Sequence, residues 1–405
     1  MEYYSIFLPL ALILVVSKVL SKLCAKFGMP SVVGMLLAGI LISLIEYIPG
    51  QNILNAVSVD GLGFMAKIGV VLIMFSAGLE TDVRQIKSVG IPAVIITFAG
   101  VIVPMGLGFV VATLFNGGFA SMTRDMALTN LFYGVVLTAT SVSVSVATLK
   151  ELNQLSTKLG STIMAAAILD DIIGIIALSF VIGLKGGNGT IQSPWIVLLK
   201  TILFFVVAGV SGIFIHRFLK WLDTRYKHHR MIPIFSLAIC FFFAYASEKW
   251  FGVADITGAF AAGLMLSYNP DVSYIDRKSD IMSYMFFTPI FFANIGITSS
   301  FSGITGSMIL FGVLFIIAGM IGKVAGCGGT ALLMNYSKED SLRVGIGMMP
   351  RAEVALVCAQ KGVEHGMISA GIMPFIVLLI IITSFITPIV LKLSFKNNNK
   401  VPKAA

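Results

Sequence analysis

Apolar residues recur along this chain in long unbroken runs, not in the alternation of a half-buried strand or the single stripe of a soluble amphipathic helix. The runs fall near residues 3–21, 29–48, 61–79, 89–115, 127–149, 157–184, 195–220, 231–249, 252–268, 281–299, 306–335, 342–361 and 370–394. Most approach the ~20 residues that carry a helix across a bilayer. The pattern therefore predicts an all-α integral membrane protein of about thirteen transmembrane helices. The ninth run is short and the eleventh long, which points to a re-entrant or tilted helix at either.

Composition agrees with lipid as the solvent. Of 405 residues, 57% are hydrophobic and 12% charged, about half the charge fraction of a soluble domain. No segment between the runs is long enough for a soluble domain, and a short Lys-rich tail (395–405) follows the last. The first run has no basic residue before it, and Lys18, Lys22 and Lys26 follow. That polarity is wrong for a cleaved signal peptide, so a retained first helix is expected. Cys24, Cys240, Cys327 and Cys358 have no ligand spacing and read as packing residues; His228 and His229 lie in a basic loop.

Charge sets the topology. Alternate loops and helix ends carry Lys18/Lys22/Lys26, Arg84/Lys87, Lys150/Lys158, Arg217 to Arg230, Arg277/Lys278, Lys338/Arg343 and the tail lysines. The intervening ones carry only Lys67, Arg124, Lys185, Lys200, Lys249 and Lys361. The positive-inside rule then places the N-terminus outside and the C-terminus in the cytoplasm. The net charge of +9 thus reports orientation, not a nucleic-acid partner. Under this count spans two and nine run in opposite directions. The chain divides into a first repeat (29–184), linking spans (185–251) and a second, inverted repeat (252–394), an arrangement of secondary transporters.

Ionisable residues in mid-span cost at least ~2.5–3.5 kcal/mol each, and so mark function. Asp170 and Asp171 lie in AAAILDDIIGII, Lys323 in GMIGKVAGCGG, and Arg351 and Glu353 in GMMPRAEVALV. Adjacent helical residues point about 100° apart, so the two aspartates need different partners. Lys323 can pair with one, leaving the other to bind a cation or a proton; such a carboxylate is the minimum equipment for antiport. The plainer alternative is an ion-pair cluster that only ties helices together. Span five holds the hydroxyl-rich TATSVSVSV around Thr138, Thr140 and Ser141, and span twelve holds Pro350. Both are expected to unwind there, with Thr140 and Ser141 satisfying freed backbone groups or coordinating the ion. The alternative for the hydroxyls is helix–helix adhesion. Arg351 and Glu353 suit the opposing dipole ends of the broken helices. Glu80 ends span three, where it can tune the pH response or simply be a solvated acid. Asn294 can line an outer pathway or pack, and Gly258 and Gly263 suit close helix approach.

The stretches GMLLAGILIS, IGVVLIMFSAGLETD, ATSVSVSVATLKEL, AAAILDDIIGII, GAFAAGLMLS, PIFFANIGI and PRAEVALV resemble the monovalent cation:proton antiporter-2 family, specifically its NapA-type sodium/proton antiporters. The resemblance implies the NhaA/NapA-like fold with crossed broken helices, and a homodimer. It also implies a core domain moving against a dimerisation domain, elevator-like. It implies that Asp170 bonds Lys323, that Asp171 is the principal carboxylate for Na⁺ or H⁺, and that exchange is electrogenic. One departure is Ser141, which stands where NhaA-like relatives have an acid. Another is the missing cytoplasmic nucleotide-binding domain of glutathione-gated potassium efflux relatives. No cofactor is implied; the partners are Na⁺ or Li⁺, H⁺ and membrane lipid. Potassium/proton exchange by the same machinery is the nearest alternative. A sodium-coupled solute symporter would need an intramembrane cluster of aromatics and amides, which the sequence does not suggest. An aspartyl protease would need facing carboxylates on two helices, and a passive channel would need no titrating carboxylate.

Overall fold

The computed structural model describes residues 3–27, 29–51, 53–81, 90–152, 154, 157–185, 193–225, 231–268, 272–298 and 305–396. Arg84, Lys87, Lys227 to Arg230 (with His228 and His229), Lys400 and Lys403 lie outside them. Among the described residues the chain is helical throughout, with no strand. Lipid offers no hydrogen bonds to a backbone, so a helix that satisfies its own is the natural outcome of such apolar runs.

In chain order the helices are α1 (Phe7–Lys26), α2 (Ser31–Ser43), α3 (Ala56–Glu80), α4 (Ile91–Phe115), α5 (Arg124–Val136) and α6 (Val142–Glu151). Next come α7 (Lys158–Lys185), α8 (Pro194–Arg225), α9 (Met231–Ala246), α10 (Asp255–Leu266), α11 (Val272–Met282) and α12 (Thr288–Thr298). The last are α13 (Gly306–Lys323), α14 (Gly329–Leu333), α15 (Lys338–Gly347), α16 (Glu353–Glu364) and α17 (Met373–Lys396). Among the described residues, nine helical stretches are long and apolar enough to cross a membrane, and Ser31–Tyr47 and Asp255–Leu266 are shorter apolar helices. Three junctions are π-helical turns: Ser247–Phe251, Ser283–Phe287 and Val324–Gly328. They make α9, α11–α12 and α13–α14 each one continuous, locally underwound rod.

The chain forms two compact units. The first comprises Met1–Cys24, Gly34–Asp82 and Leu178–Ser299. Its core includes Ile13, Ile42, Leu62, Ile290 and Ala293. Here α3 and α10 cross with their backbones nearly touching. A Cβ on Gly78 or on Gly263 would strike the other helix's main chain, so only glycine permits the approach. Gly258 performs the same service for α10 against Phe243 of α9. Gly252 makes the tight turn between α9 and α10 in the left-handed region, at φ 65°.

The second unit comprises Ala25–Val33, Val83–Ala177 and Ser300–Ala405, and so holds α4 to α6, most of α7, and α13 to α17. Its core gathers Ile96, Ile163, Ala166, Cys327, Val344, Met348 and Leu391. Two of its helical rods are interrupted. Between α5 and α6 the chain leaves the helix at 137–141, and between α15 and α16 it does so at 348–352. All four cysteines are free and buried.

Candidate functional site

Both interruptions lie in the second unit, and they meet. Each frees backbone groups that have no intrahelical partner, and a dry interior makes every unpaired group costly. The two stretches satisfy one another. The Ser141 N–H donates to Pro350 O at 2.7 Å. Thr140 Oγ1 donates to Met348 O at 3.2 Å and Ser145 Oγ to Gly347 O at 2.5 Å. These hydroxyls thereby close the carbonyl end of α15. Proline at 350 contributes an acceptor and no donor, which removes one group that would otherwise need a partner.

Arg351 closes the carbonyl end of α5. Its guanidinium is fully buried. Nη1 donates to Thr138 O at 2.9 Å and to Ala139 O, and Nη2 reaches Gly319 O on α13 at 3.2 Å. A cation at a helix C-terminus is favoured by the macrodipole, and a planar fork suits several carbonyls at once. Glu353 occupies the opposite kind of position, the first turn of α16, where a carboxylate meets a positive helix end.

The two aspartates sit in mid-α7, within the second unit. Asp170 is fully buried, and its Oδ1 accepts from Lys323 Nζ at 2.6 Å. Lys323 is fully buried as well and ends α13 just before the π turn Val324–Gly328. Gly100 of α4 leaves the space that Cys327 and Lys323 occupy, since a Cβ there would strike Cys327 Sγ. Asp170 Oδ2 and Asp171 Oδ1 are buried without a hydrogen-bond partner among the described residues. Gly174, one turn beyond Asp171, brings α7 against the Thr138 hydroxyl at the break. The charged groups that act on Asp171 are Asp170, Glu353 and Lys323. The second unit thus assembles Asp170, Asp171, Thr140, Ser141, Lys323, Arg351 and Glu353 on one crossing of broken helices.

Glu80 is not among them. It ends α3 in the first unit and is exposed. Asn294, also in the first unit, is buried in α12 with its Oδ1 unpartnered. Sequence reasoning missed Ser145, Gly319, Thr383 and Ser384. The last two were visible as hydroxyls in an otherwise apolar final run. It also did not single out a pocket between the end of α4 and the start of α13. Phe115, Tyr133, Phe311 and Phe375 line a cavity of about 210 Å³ with Asn116, Ser307 and Ser369, and Asn116 donates to the buried Asn130 at 2.6 Å. These residues come from well-separated runs, so no single segment announced them. Among the described residues its lining holds no carboxylate.

A family model for the sodium/hydrogen exchanger, transmembrane, matches residues 11–396. The Na(+)/H(+)-K(+) antiporter GerN of Bacillus cereus is 33% identical over 407 residues, 99% of each chain. A Na(+)/H(+) antiporter of Enterococcus hirae is 32% identical over 394 residues, 97% of this chain and 98% of that one. In fold the chain is similar to the sodium proton antiporter MjNhaP1 from Methanocaldococcus jannaschii, with a TM-score of 0.74 at 16% identity over 98% of both chains. These relatives are transporters and not enzymes.

Proposed function

The chain belongs to the transmembrane sodium/hydrogen exchanger family, and from that premise we propose that it exchanges sodium or lithium ions for protons across a bacterial plasma membrane. The observation that carries this reading is Asp171 Oδ1, a buried carboxylate oxygen without a partner among the described residues, beside a carboxylate already engaged by Lys323. One such group accommodates a proton or a monovalent cation, never both, and competition for it couples the two fluxes.

The remaining parts have assigned roles. Thr140 spends its proton on Met348 O, so its oxygen lone pairs stay available to a cation, and Ser141 stands next to it. The Asp170–Lys323 bridge opens and closes with the cycle, which makes exchange electrogenic. Arg351 and Glu353 hold the charge balance of the broken helices. The architecture is that of about thirteen spans in two inverted repeats, 29–184 and 252–394, joined by 185–251. The N-terminus is outside, and the tail 395–405 is cytoplasmic. The second unit is the ion-carrying core and the first the dimerisation domain of a homodimer that works by alternating access.

Everted vesicles with an acid interior and a quenched pH dye test this. Sodium or lithium addition is expected to restore fluorescence, and Asp171→Asn to remove the response. No response from the unsubstituted protein to Na⁺, Li⁺ or K⁺ would sink the reading. Potassium exchange is the second reading, supported by the similarity to GerN, whose name includes K(+). A response to K⁺ equal to that to Na⁺ decides for it.

A further inference from the structure

Arg351 has a second set of partners, at its backbone. It lies outside helical geometry between α15 and α16, so its N–H and C=O have no helical partner. Both are taken by α17. The Arg351 N–H donates to Thr383 Oγ1 at 3.1 Å, and Ser384 Oγ donates to Arg351 O at 3.2 Å. Thr383 gives its own proton to Leu379 O at 2.8 Å, which leaves its oxygen as the acceptor. Both side chains are fully buried.

We propose that Thr383 and Ser384 are positioning residues of the exchange site, a two-hydroxyl clamp that fixes the Arg351 backbone and so aims its guanidinium at the carbonyl end of α5. The role rests on the reading of this crossing as the ion site. Arg351 ties the carbonyls of Thr138, Ala139 and Gly319 together. A side chain can aim three bonds only if its Cα is held, and a non-helical stretch with Pro350 as neighbour has no ladder to hold it. The hydroxyls of α17 supply that hold from outside the break. Without them an N–H and a C=O are orphaned in a dry interior, and the stretch relaxes toward other conformers.

The same helix provides a control. Thr387 is also fully buried, but its Oγ1 has no partner among the described residues. Replacing its hydroxyl by a methyl loses no bond, so Thr387→Val makes the same chemical change without the clamp's loss. The test compares Thr383→Val with Ser384→Ala, Thr387→Val, and the conservative Thr383→Ser, all in the full chain in vesicles. The Thr383→Val/Ser384→Ala protein is expected to lose about tenfold or more in sodium-driven proton movement, since an orphaned buried polar group shifts an equilibrium by roughly that factor. Its half-saturating sodium concentration is expected to move at least about threefold, a change that mere loss of folded protein does not produce. Thr383→Ser is expected to retain the wild-type values, and Thr387→Val to resemble it. Hydrogen–deuterium exchange over 348–352 is the arm independent of transport, and is expected to rise in the double variant only. Unchanged exchange protection there, or equal defects in Thr387→Val and the double variant, would overturn the clamp. A wild-type protein that moves no protons would sink the functional reading instead, and the deuterium arm would still decide whether α17 holds the break.

Discussion

Lys323 and Asp170 illustrate what a buried ion pair does and does not contribute. Each charge gives up its hydration, and the attraction at 2.6 Å roughly offsets that loss. Removing one partner is different, because the other is left charged and alone. Lys323→Ala is expected to destabilise the protein by about 3–5 kcal/mol, read as a fall in melting temperature in detergent. The double replacement Lys323→Met with Asp170→Leu is expected to recover most of that stability while leaving transport defective. A double variant as unstable as the single one would show that the pair is a net stabiliser. These two residues were legible in the sequence because charge inside an apolar run has few structural excuses. Thr383 and Ser384 were not, since a hydroxyl in a membrane helix ordinarily bonds its own preceding turn, and nothing local distinguishes one that reaches Arg351. Thr140 and Met348 were equally hidden as a pair: their bond spans 208 positions.

At the scale of elements, two devices shape this molecule: glycine contacts where helices cross, and interruptions where they stop. Gly263→Ala is expected to cost about 1–3 kcal/mol, because the added methyl meets α3 backbone at Phe75 and Leu79 and not a side chain that can swing aside. A melting temperature within error of the wild type would mean that α3 and α10 can part without loss. The same substitution at Gly209 of α8, which has nothing near its Cβ position, serves as the comparison. The interruptions were partly legible. Pro350 marked one and the TATS hydroxyls the other, since each offers the chain a reason to leave the helix. What the pattern lacked was the pairing between them. The bond from Ser141 to Pro350 joins two backbones, and backbone groups are the same in every residue.

The whole molecule has a direction. The basic loops predict that α5 begins outside and α15 begins in the cytoplasm, as inverted repeats require. Asp125 and Lys338 are exposed near those two helix starts, and the native cysteines are all buried. Asp125→Cys is therefore expected to react with an impermeant maleimide in intact cells. Lys338→Cys is expected to react only in everted vesicles. Labelling of both from the same side would overturn the inverted arrangement. The overall helical content and the positions of most long apolar helices were legible because hydropathy is summed over a whole run, and errors at single residues average out. The partition into two units was not, as each is stitched from three separated stretches.

The π turn after Lys323 fixes the phase of a rod. A π turn holds one residue more than the α-helix it interrupts, so the faces of α13 and α14 are offset by about 100° from where an uninterrupted helix would put them. On one side of the offset Gly322 meets Pro104; on the other Gly328 meets Ser341. Removing a single residue between 324 and 328 would leave hydropathy, charge and span length almost untouched. It would still turn one of these two faces away from its neighbour, and either the lysine or the glycine seam would lose its register.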